Sequence, residues 1–491
     1  MTEYHGHPGV SAMSLYVPRP MVSLESWCDW TNNSWDKIQN VVGRSFRVCN
    51  RHENVYTMAA NAVLKLILQN DIDPDKVGFL GLGTESSTDN AAGAVIVRGM
   101  IDLALRKLGK KTLSRYLEVP EFKHACLGGV YALKNALRYA ACDGRSRLAI
   151  VVSSDVAEYE RGSSGEQTQG AGAVAMLVEA QPKLFEVDLT RATSASDYRG
   201  PDFRKPFARH FTENYAPNTE RLSDFPVFSG KYSTVSYLDE TVLAVEGMLE
   251  KLGVSAGQYY AGVQALFFHR PYHLMPVQAM SFLYARGLAR GDRHHDELRG
   301  LCEQAGVTFE AVLRETQSRP DLYGPILSGA EPPNPYEATS AVAGALRKQT
   351  QFRKLLEQKM RLGSEWVKDL GNLYSAALPA WIAAGFEQAL AEQVELAGAP
   401  MVAVGYGSGD AAEALPFQAV KGWQQAASRI GFRAALAEPI ELERGQYEAI
   451  HDGRDTELEY EPRREFRISR VGARYDPSFQ DLGVEYYDYC A

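Results

Sequence analysis

Cys126 stands between a short strand-like stretch and a long apolar helical pattern, and Gly128 and Gly129 follow it closely. Unpaired backbone N–H groups at the start of a helix favour a nearby negative charge, so this position lowers the pKa of a cysteine and favours its thiolate. The thiolate is the nucleophilic form, and the glycines let a substrate or a second helix approach the backbone. The local pattern fits a nucleophile and a buried structural cysteine equally well.

Two other reactive side chains follow apolar stretches. Glu85 comes after the buried-strand pattern of residues 77–82, and His269 comes after that of residues 265–268. Desolvation raises the pKa of a carboxyl toward the range of a useful base, and a histidine exchanges a proton near neutral pH. Each residue also has an ordinary structural interpretation. Glu85 could cap a helix or pair with a cation, and His269 could be a hydrogen-bonded core residue.

The composition indicates a globular protein of one large domain or two to three fused units. The 491 residues are 45% hydrophobic, and the net charge of −9 argues against general affinity for nucleic acid. The chain has no secretory pattern at its start and no apolar run of membrane-spanning length, so we expect no membrane partner. Scattered cysteines without metal-like spacing predict free thiols, no metal site and a cytoplasmic location. The cysteines are Cys28, Cys49, Cys126, Cys142, Cys302 and Cys490.

Strand and helix patterns alternate along the chain, which predicts an α/β architecture. Strand patterns cover residues 10–18, 77–83, 147–154, 170–178, 265–269 and 400–406. Helical patterns cover residues 54–69, 91–108, 129–141, 237–252 and 371–390. Residues 182–231 and 291–335 are irregular and predict loop insertions, and the segment from Asp452 predicts one final strand. The similar layouts predict an N-terminal half, residues 1–180, and a C-terminal half, residues 181–491.

Segments over most of the chain, in order, resemble those of the 3-hydroxy-3-methylglutaryl-CoA synthases, a family of thiolase-fold condensing enzymes. They are residues 9–18, 51–59, 83–86, 125–129, 170–175, 202–206, 225–233, 268–272, 371–375 and 405–409. Leu127 departs from the pattern, because the family usually has a tyrosine at this position, and this leaves the shape of the pocket open. The resemblance implies a thiolase-like five-layer αβαβα fold with two pseudo-duplicated halves.

The resemblance also implies site residues for a condensation of two thioesters. Cys126 would carry the acyl group, and Glu85 would remove a proton from it. His269 would protonate the product alkoxide, polarise the ketone or help to activate Cys126. Backbone N–H groups near Cys126 and in the turn 407–409 would stabilise oxyanions. Substrate contacts would come from Tyr159, Gly170, Arg270, Asn372, Gly407 and Ser408. The reaction requires no metal or redox cofactor, because a CoA or phosphopantetheine thioester is itself the substrate, and the resemblance implies a homodimer.

Three functions stay open at this point. The first is condensation of acetyl-CoA with acetoacetyl-CoA for isoprenoid or related metabolism, which the full-length form with long insertions favours. The second is condensation on an acyl carrier protein for polyketide β-branching. It is favoured by the lack of lysine in residues 273–278, where CoA-using members commonly carry lysines, although Arg204, Lys205 and Arg270 could serve instead. The third is a non-catalytic scaffold, against which the presence of all three reactive residues speaks.

Overall fold

The computed structural model describes residues 6–205, 225–227 and 229–491. Its helices are α1 (Leu24–Thr31), α2 (Trp35–Val41), α3 (Val55–Gln69), α4 (Gly93–Lys107), α5 (Gly128–Ala141), α6 (Lys231–Leu252), α7 (Ala256–Gly262), α8 (Leu274–Arg290), α9 (His295–Ala305), α10 (Phe309–Gln317), α11 (Gly324–Leu327), α12 (Glu337–Leu346), α13 (Thr350–Met360), α14 (Ala377–Ala391), α15 (Trp423–Ala427), α16 (Phe432–Leu436) and α17 (Arg444–His451). Its strands are β1 (Gly9–Tyr16), β2 (Pro20–Ser23), β3 (Ser45–Arg47), β4 (Val77–Gly83), β5 (Glu121–Phe122), β6 (Leu148–Ala157), β7 (Gly170–Glu179), β8 (Phe185–Val187), β9 (Thr193–Ser196), β10 (Ala265–Phe268), β11 (Pro400–Gly407), β12 (Ala411–Ala419), β13 (Ile440–Glu441), β14 (Glu465–Val471), β15 (Tyr475–Asp476), β16 (Phe479–Gln480) and β17 (Glu485–Cys490). Pro206 and Phe228, from two of the family-like segments, lie outside the described residues.

The main sheet has ten strands in the order β10-β11-β12-β8-β1-β7-β6-β4-β5, with β9 also paired to β12. The pairs β4/β5, β4/β6 and β10/β11 are parallel, and the other pairs of this sheet are antiparallel. The boundary predicted near residue 180 falls between β7 and β8. Because β8 bonds to β1 on one edge and to β12 on the other, strands of both predicted halves belong to one sheet.

Helices cover the strands on both faces. In β6, Ala149 and Val151 pack into the core below α5, and Ile150 and Val152 pack into the core below α3 and α4. The opposite side of α5 packs against β11. The two elements lie so close together that a side chain at Gly405 of β11 would collide with α5. Helix α14 also packs in this middle layer, and α6 covers β11 and β12 from outside. The order of layers is therefore α3/α4, strands, α5/α14, strands and α6, and the α/β prediction is confirmed.

The sequence explains the start of α3, which was expected at residue 54. Asn54 Oδ1 accepts hydrogen bonds from the N–H groups of Tyr56 and Thr57, at 2.9 Å each. Thr57 Oγ1 in return accepts from the Asn54 N–H at 2.8 Å, which completes a capping box. The helix then fills one face of the sheet with small and branched apolar residues. None of the described helices combines the length and the apolar character that crossing a membrane requires.

Four predicted segments differ in the structure. Residues 182–231 are not only loop, because they contain β8, which pairs with β1 and β12, and β9, which pairs with β12; at three and four residues these strands are too short to be recognised from their pattern. Residues 371–390 do not form one helix, because Gly371 and Tyr374 adopt positive φ angles of 75° and 44° and α14 begins only at Ala377. Residues 291–335 are not mainly loop. They contain α9 and α10, whose short apolar faces pack into a small core of their own, and their many charged residues hid this pattern in the sequence. The segment from Asp452 forms the antiparallel pair β14/β17 instead of one strand.

Candidate active site

Cys126 lies on a tight turn between β5 and α5. The preceding residue, Ala125, has a φ of 45°, a left-handed conformation that is costly for a residue other than glycine. Neighbouring strands pack closely on this turn. A side chain at Gly407 would collide with the carbonyl of His124, and one at Gly83 would collide with the first turn of α5. The glycines at the ends of β4 and β11 therefore allow both strands to reach the cysteine turn.

Cys126 and Glu85 are in direct contact. The thiol Sγ donates to Glu85 Oε2 at 3.2 Å, and Cys126 is buried. Burial and then the facing Glu85 carboxyl raise the pKa of the Cys126 thiol well above its usual value. Burial and then the charge of Asp155 raise the pKa of Glu85 to about 8. The sequence predicted a lowered thiol pKa, but desolvation and a facing acid outweigh the helix terminus. The thiol proton thus points at a base whose pKa lies near neutrality.

Asp155, near the end of β6, holds the loop that carries Glu85. Its Oδ1 accepts from the backbone N–H groups of Glu85 and Ser86, at 2.7 and 2.8 Å, and from the hydroxyl of Thr84 at 2.9 Å. Its Oδ2 accepts from the backbone N–H of Ser375 at 2.9 Å. The carboxyl is fully buried, and this burial raises its pKa. Asp155 therefore ties the Glu85 loop to the loop that precedes α14.

A cavity of about 200 Å³ opens beside Cys126. Four of the residues singled out in the sequence line it, namely Tyr159, Asn372, Ser408 and His269. Asn372 Oδ1 accepts from the N–H of Tyr374 at 2.9 Å, so the amide is held in position by its own loop. Most of the remaining wall is aromatic or apolar. It includes Phe203, Tyr237, Pro271, Tyr272, Met275 and Tyr406. Such a lining suits a short acyl chain with few polar groups.

His269 follows the last residue of β10. Its backbone N–H donates to the Val404 carbonyl at 2.7 Å, and its carbonyl accepts from the Tyr237 hydroxyl at 3.3 Å. Burial lowers the pKa of His269 to about 3, so the imidazole is neutral at physiological pH. A neutral imidazole has one N–H donor and one acceptor nitrogen. It can therefore donate a hydrogen bond to a carbonyl or alkoxide without carrying a charge.

The structure places three of the six predicted contact residues, Arg270, Gly170 and Gly407, away from the cavity lining. The Arg270 side chain is buried. Its Nη1 donates to the Ser364 carbonyl at 2.8 Å, and its guanidinium lies over the Trp381 ring. Gly170 lies in β7, where a side chain would collide with the backbone of residues 370–372. Gly407 is also absent from the lining, and its lack of a side chain allows β11 to approach the cysteine turn. Leu127, which stands where the family usually has a tyrosine, is fully buried against β11 and is not among the residues of the described lining.

Several groups of the site escaped the sequence analysis. Asp155 had one available signal, which is a carboxyl inside an otherwise apolar strand pattern. Phe203 and Tyr374 form edge-to-face contacts with Tyr159, at centroid distances of 5.9 and 6.4 Å, and no spacing in the sequence indicates this cluster. No group of histidine, cysteine and acidic residues in the described ranges is arranged to hold a metal ion.

The chain is similar to hydroxymethylglutaryl-CoA synthases in sequence and in structure. Residues 5–183 match the family model described as the N-terminal part of hydroxymethylglutaryl-coenzyme A synthase. The hydroxymethylglutaryl-CoA synthase of Haloferax volcanii is 27% identical over 415 residues, which are 84% of this chain and 83% of that protein. Hydroxymethylglutaryl-CoA synthase A of Dictyostelium discoideum is 25% identical over 490 residues, which are 98% and 90% of the two chains.

Solved structures extend this similarity to the whole fold. A structure of MvaS in complex with 3-hydroxy-3-methylglutaryl coenzyme A has a TM-score of 0.77 at 23% identity and covers 99% of this chain and 100% of that one. The curacin-pathway HMG synthase in complex with acetyl donor-ACP has a TM-score of 0.68 at 17% identity, with 98% and 99% of the chains covered. At such identities the structures show a shared fold, which is thiolase-like.

Proposed function

The chain belongs to the hydroxymethylglutaryl-CoA synthase family, and from this premise we propose that it condenses an acetyl thioester with an acetoacetyl or related β-ketoacyl thioester. The acetyl group would be carried on Cys126, and water would release the product. The observation that carries the proposal is the 3.2 Å contact between the Cys126 thiol and the Glu85 carboxyl. This contact lies beside a cavity that His269 also lines.

In the first step, Cys126 takes the acetyl group from its carrier. Glu85 accepts the thiol proton as the sulfur attacks the acetyl carbonyl carbon, and this proton then leaves with the carrier thiol. One carbon–sulfur bond forms as another breaks, so the step requires no oxidant or reductant. The Gly409 N–H already donates to Asp410. The backbone N–H of Cys126 is therefore our candidate for the donor to the oxyanion.

In the second step, Glu85 removes a proton from the methyl group of acetyl-Cys126. The resulting carbanion attacks the ketone carbon of the second thioester, and the N–H of the neutral His269 ring donates a hydrogen bond to the ketone oxygen as it becomes an alkoxide. The proton that Glu85 removed from the methyl group then passes to this oxygen and forms the alcohol. Acetylation also removes the S–H donor that lowers the pKa of Glu85. The carboxylate is therefore a stronger base in the acetyl-enzyme than in the free enzyme. Water finally cleaves the Cys126 thioester.

We propose CoA as the carrier, on the basis of two adjacent cations. Arg204 is exposed and lies next to the turn at Gly409. Lys205 is close enough to Glu85 to lower the pKa of this carboxyl. These cations would meet the phosphates of CoA outside the cavity. The described lining of the cavity itself contains no lysine or arginine, and this observation favours the second candidate, an acyl carrier protein whose phosphopantetheine has a single phosphate.

The carrier can be determined directly with purified protein. We expect acetyl-CoA and acetoacetyl-CoA to support steady release of free CoA, measured with a thiol reagent. Arg204→Ala should raise the KM for acetyl-CoA about tenfold with a smaller effect on kcat, because a charged phosphate contact is lost. Lys354→Ala, at an exposed position on α13, is the matched control and should change neither constant. Turnover only with a loaded carrier protein would exclude CoA as the carrier while leaving the condensation intact.

We further propose a homodimer joined at the β5 edge of the main sheet. The backbone carbonyls of Glu118, Pro120 and Phe122 accept hydrogen bonds from β4 and from the residue after it. The residues at the alternate positions of this segment direct their backbone groups away from β4. On that side β5 is the last strand of the sheet. An open edge of this kind can pair with the same edge of a second copy. Light scattering should therefore give twice the chain mass of 54.3 kDa, and a mass of one chain at micromolar concentration would contradict the proposal.

The same chemistry indicates what else the enzyme requires. Every proton and electron pair in the two steps is held by the thioesters, Cys126, Glu85 or His269, so we propose that no separate metal or redox cofactor takes part.

All six cysteines are free thiols. Because free thiols persist in reducing compartments, we propose a cytoplasmic location.

A further inference from the structure

A group of buried acids lies behind the cavity wall and takes no part in the steps above. The Tyr406 hydroxyl oxygen lies 2.9 Å from Asp202 Oδ2 and 2.8 Å from Asp410 Oδ1. The two aspartates are 0% and 2% exposed, respectively. The Tyr406 ring lines the cavity and stacks on the His269 ring at a centroid distance of 6.5 Å. It also meets the Tyr237 ring edge-on at 4.9 Å. The two aspartates therefore fix a phenol that borders the imidazole.

The hydrogen-bond pattern favours a proton on one aspartate. A phenol carries one proton, and two ionised carboxylates would compete for it. Asp202 Oδ1 and Asp410 Oδ2 have no hydrogen-bond partner among the described residues, although both atoms are buried. The Tyr406 hydroxyl and the Gly409 N–H donate to the other oxygens of the pair, and two facing anions that each keep one oxygen without a donor would be costly at this depth. A proton on one of them supplies the missing donor and removes the repulsion.

The charge balance also favours one proton on this pair of aspartates. Asp202, Asp239, Glu240 and Asp410 are all buried, and the buried cation Arg199 pairs with the last three of them. Its guanidinium lies 2.6 Å from Asp239 and 2.9 Å from Glu240, but 3.8 Å from Asp410. Because one cation cannot compensate four buried anions, we infer that the two weakly paired acids, Asp202 and Asp410, hold one proton between them. The titratable and charged groups around Asp410 are Asp197, Arg199, Asp202, Arg204, Tyr232, Asp239, Glu240 and Tyr406.

We propose that Asp410 is a positioning residue that shares one proton with Asp202, and that this pair holds the Tyr406 phenol against the His269 ring. This inference rests on the proposed function, because it adds a residue to the same reaction. Burial and then the contact with Asp202 raise the pKa of Asp410 to about 9, in agreement with the geometry. As the pH rises through this value, the carboxyl ionises and repels Asp202. The hold on Tyr406 weakens, and kcat for condensation falls.

Three variants separate this role from a general effect of burial. Asp410→Asn keeps a neutral hydrogen-bonding group of the same shape, so kcat at neutral pH should stay close to that of the unaltered enzyme. Its loss of kcat near pH 9 should disappear. Asp410→Leu removes the contact with Tyr406, and we expect kcat to fall about 10- to 100-fold with a smaller change in KM. Glu240→Gln removes a buried carboxyl that contacts Arg199 but not Tyr406, and this control should keep the loss at high pH.

Infrared spectroscopy provides a readout that does not depend on turnover. The difference between the spectra of the unaltered protein and of Asp410→Asn at neutral pH should contain the carbonyl stretch of one protonated carboxylic acid. Other buried acids such as Glu85 contribute to both spectra and cancel in the difference. The assignment is wrong if the band is unchanged in that variant, or if its kcat still falls at high pH like that of the unaltered enzyme. If Asp410→Leu does not fold, Asp410→Asn decides. If no thioester pair is condensed at all, the proposed function fails, and the band still decides the protonation of Asp410.

Discussion

Serine in place of Cys126 is expected to remove the acyl-enzyme and to lower turnover by at least about a thousandfold. The serine hydroxyl has a far higher pKa than the thiol, and a carboxylate with a pKa near that of Glu85, about 8, cannot deprotonate it effectively. Intact-mass spectrometry after incubation with acetyl-CoA measures the effect directly. The unaltered protein should gain one acetyl group, and Cys126→Ser should gain none.

Cys142→Ser is the matched control for this experiment. Cys142 is an exposed free cysteine, so it is the thiol most open to acetylation by simple chemical transfer. Its serine variant should acquire the acetyl group and turn over like the unaltered protein. If Cys126→Ser still gained the group to the normal extent, the nucleophile would lie elsewhere. If the unaltered protein gained none from any acyl donor, including loaded carrier protein, a non-catalytic scaffold would be the better interpretation.

Alanine in place of Glu85 should separate the two halves of the reaction. We expect Glu85→Ala to acquire the acetyl group but to condense it about 10²- to 10⁴-fold more slowly, because the methyl group of acetyl-Cys126 then has no base. The measurement is a single turnover in which pre-acetylated enzyme is mixed with acetoacetyl-CoA. Glu53→Gln changes another buried carboxyl with a raised pKa, about 7, but one outside the cavity. This control should condense normally, and undiminished condensation by Glu85→Ala would refute the assignment.

The same experiment has a defined pH dependence. Glu85 acts in its ionised form, so the condensation rate should fall as the pH is lowered through the pKa of this carboxyl, about 8 in the free enzyme. Acetylation of Cys126 removes a donor that stabilises the carboxylate, so the fall should occur at higher pH in the acetyl-enzyme. Glu85→Ala should lose this dependence together with the rate. A condensation rate that is constant across this range in the unaltered enzyme would contradict Glu85 as the base.

The placement of Cys126, Glu85 and His269 could be predicted because each follows or precedes a strongly apolar element. Apolar runs can be identified directly in the sequence, and the ends of such elements meet at one side of a sheet. The direction of the Cys126 pKa could not be predicted, because it depends on the carboxyl that faces the thiol across a contact between residues 41 positions apart. The helix terminus is a local effect, whereas burial and the facing acid arise only from the fold.

The direction in which a side chain points is the second property that could not be predicted from the sequence. Arg270 follows His269 directly, yet the two side chains leave the strand end differently, and the guanidinium packs on Trp381 instead of facing the cavity. Asp155 acts on Glu85 from a separate strand, and only the pairing of β4 with β6 brings them together. The two positive φ angles before α14 were likewise hidden, because only one of them falls on a glycine.

Strand β8 has a consequence for how the molecule can be divided. Its three residues, Phe185–Val187, bond to β1 on one edge and to β12 on the other, so they join the sheets of both halves. If the chain were cut just before β8, each fragment would have a strand edge with unpaired backbone groups and an uncovered apolar surface. Neither fragment would then be an autonomous folding unit. We therefore expect the two halves to unfold together in one transition.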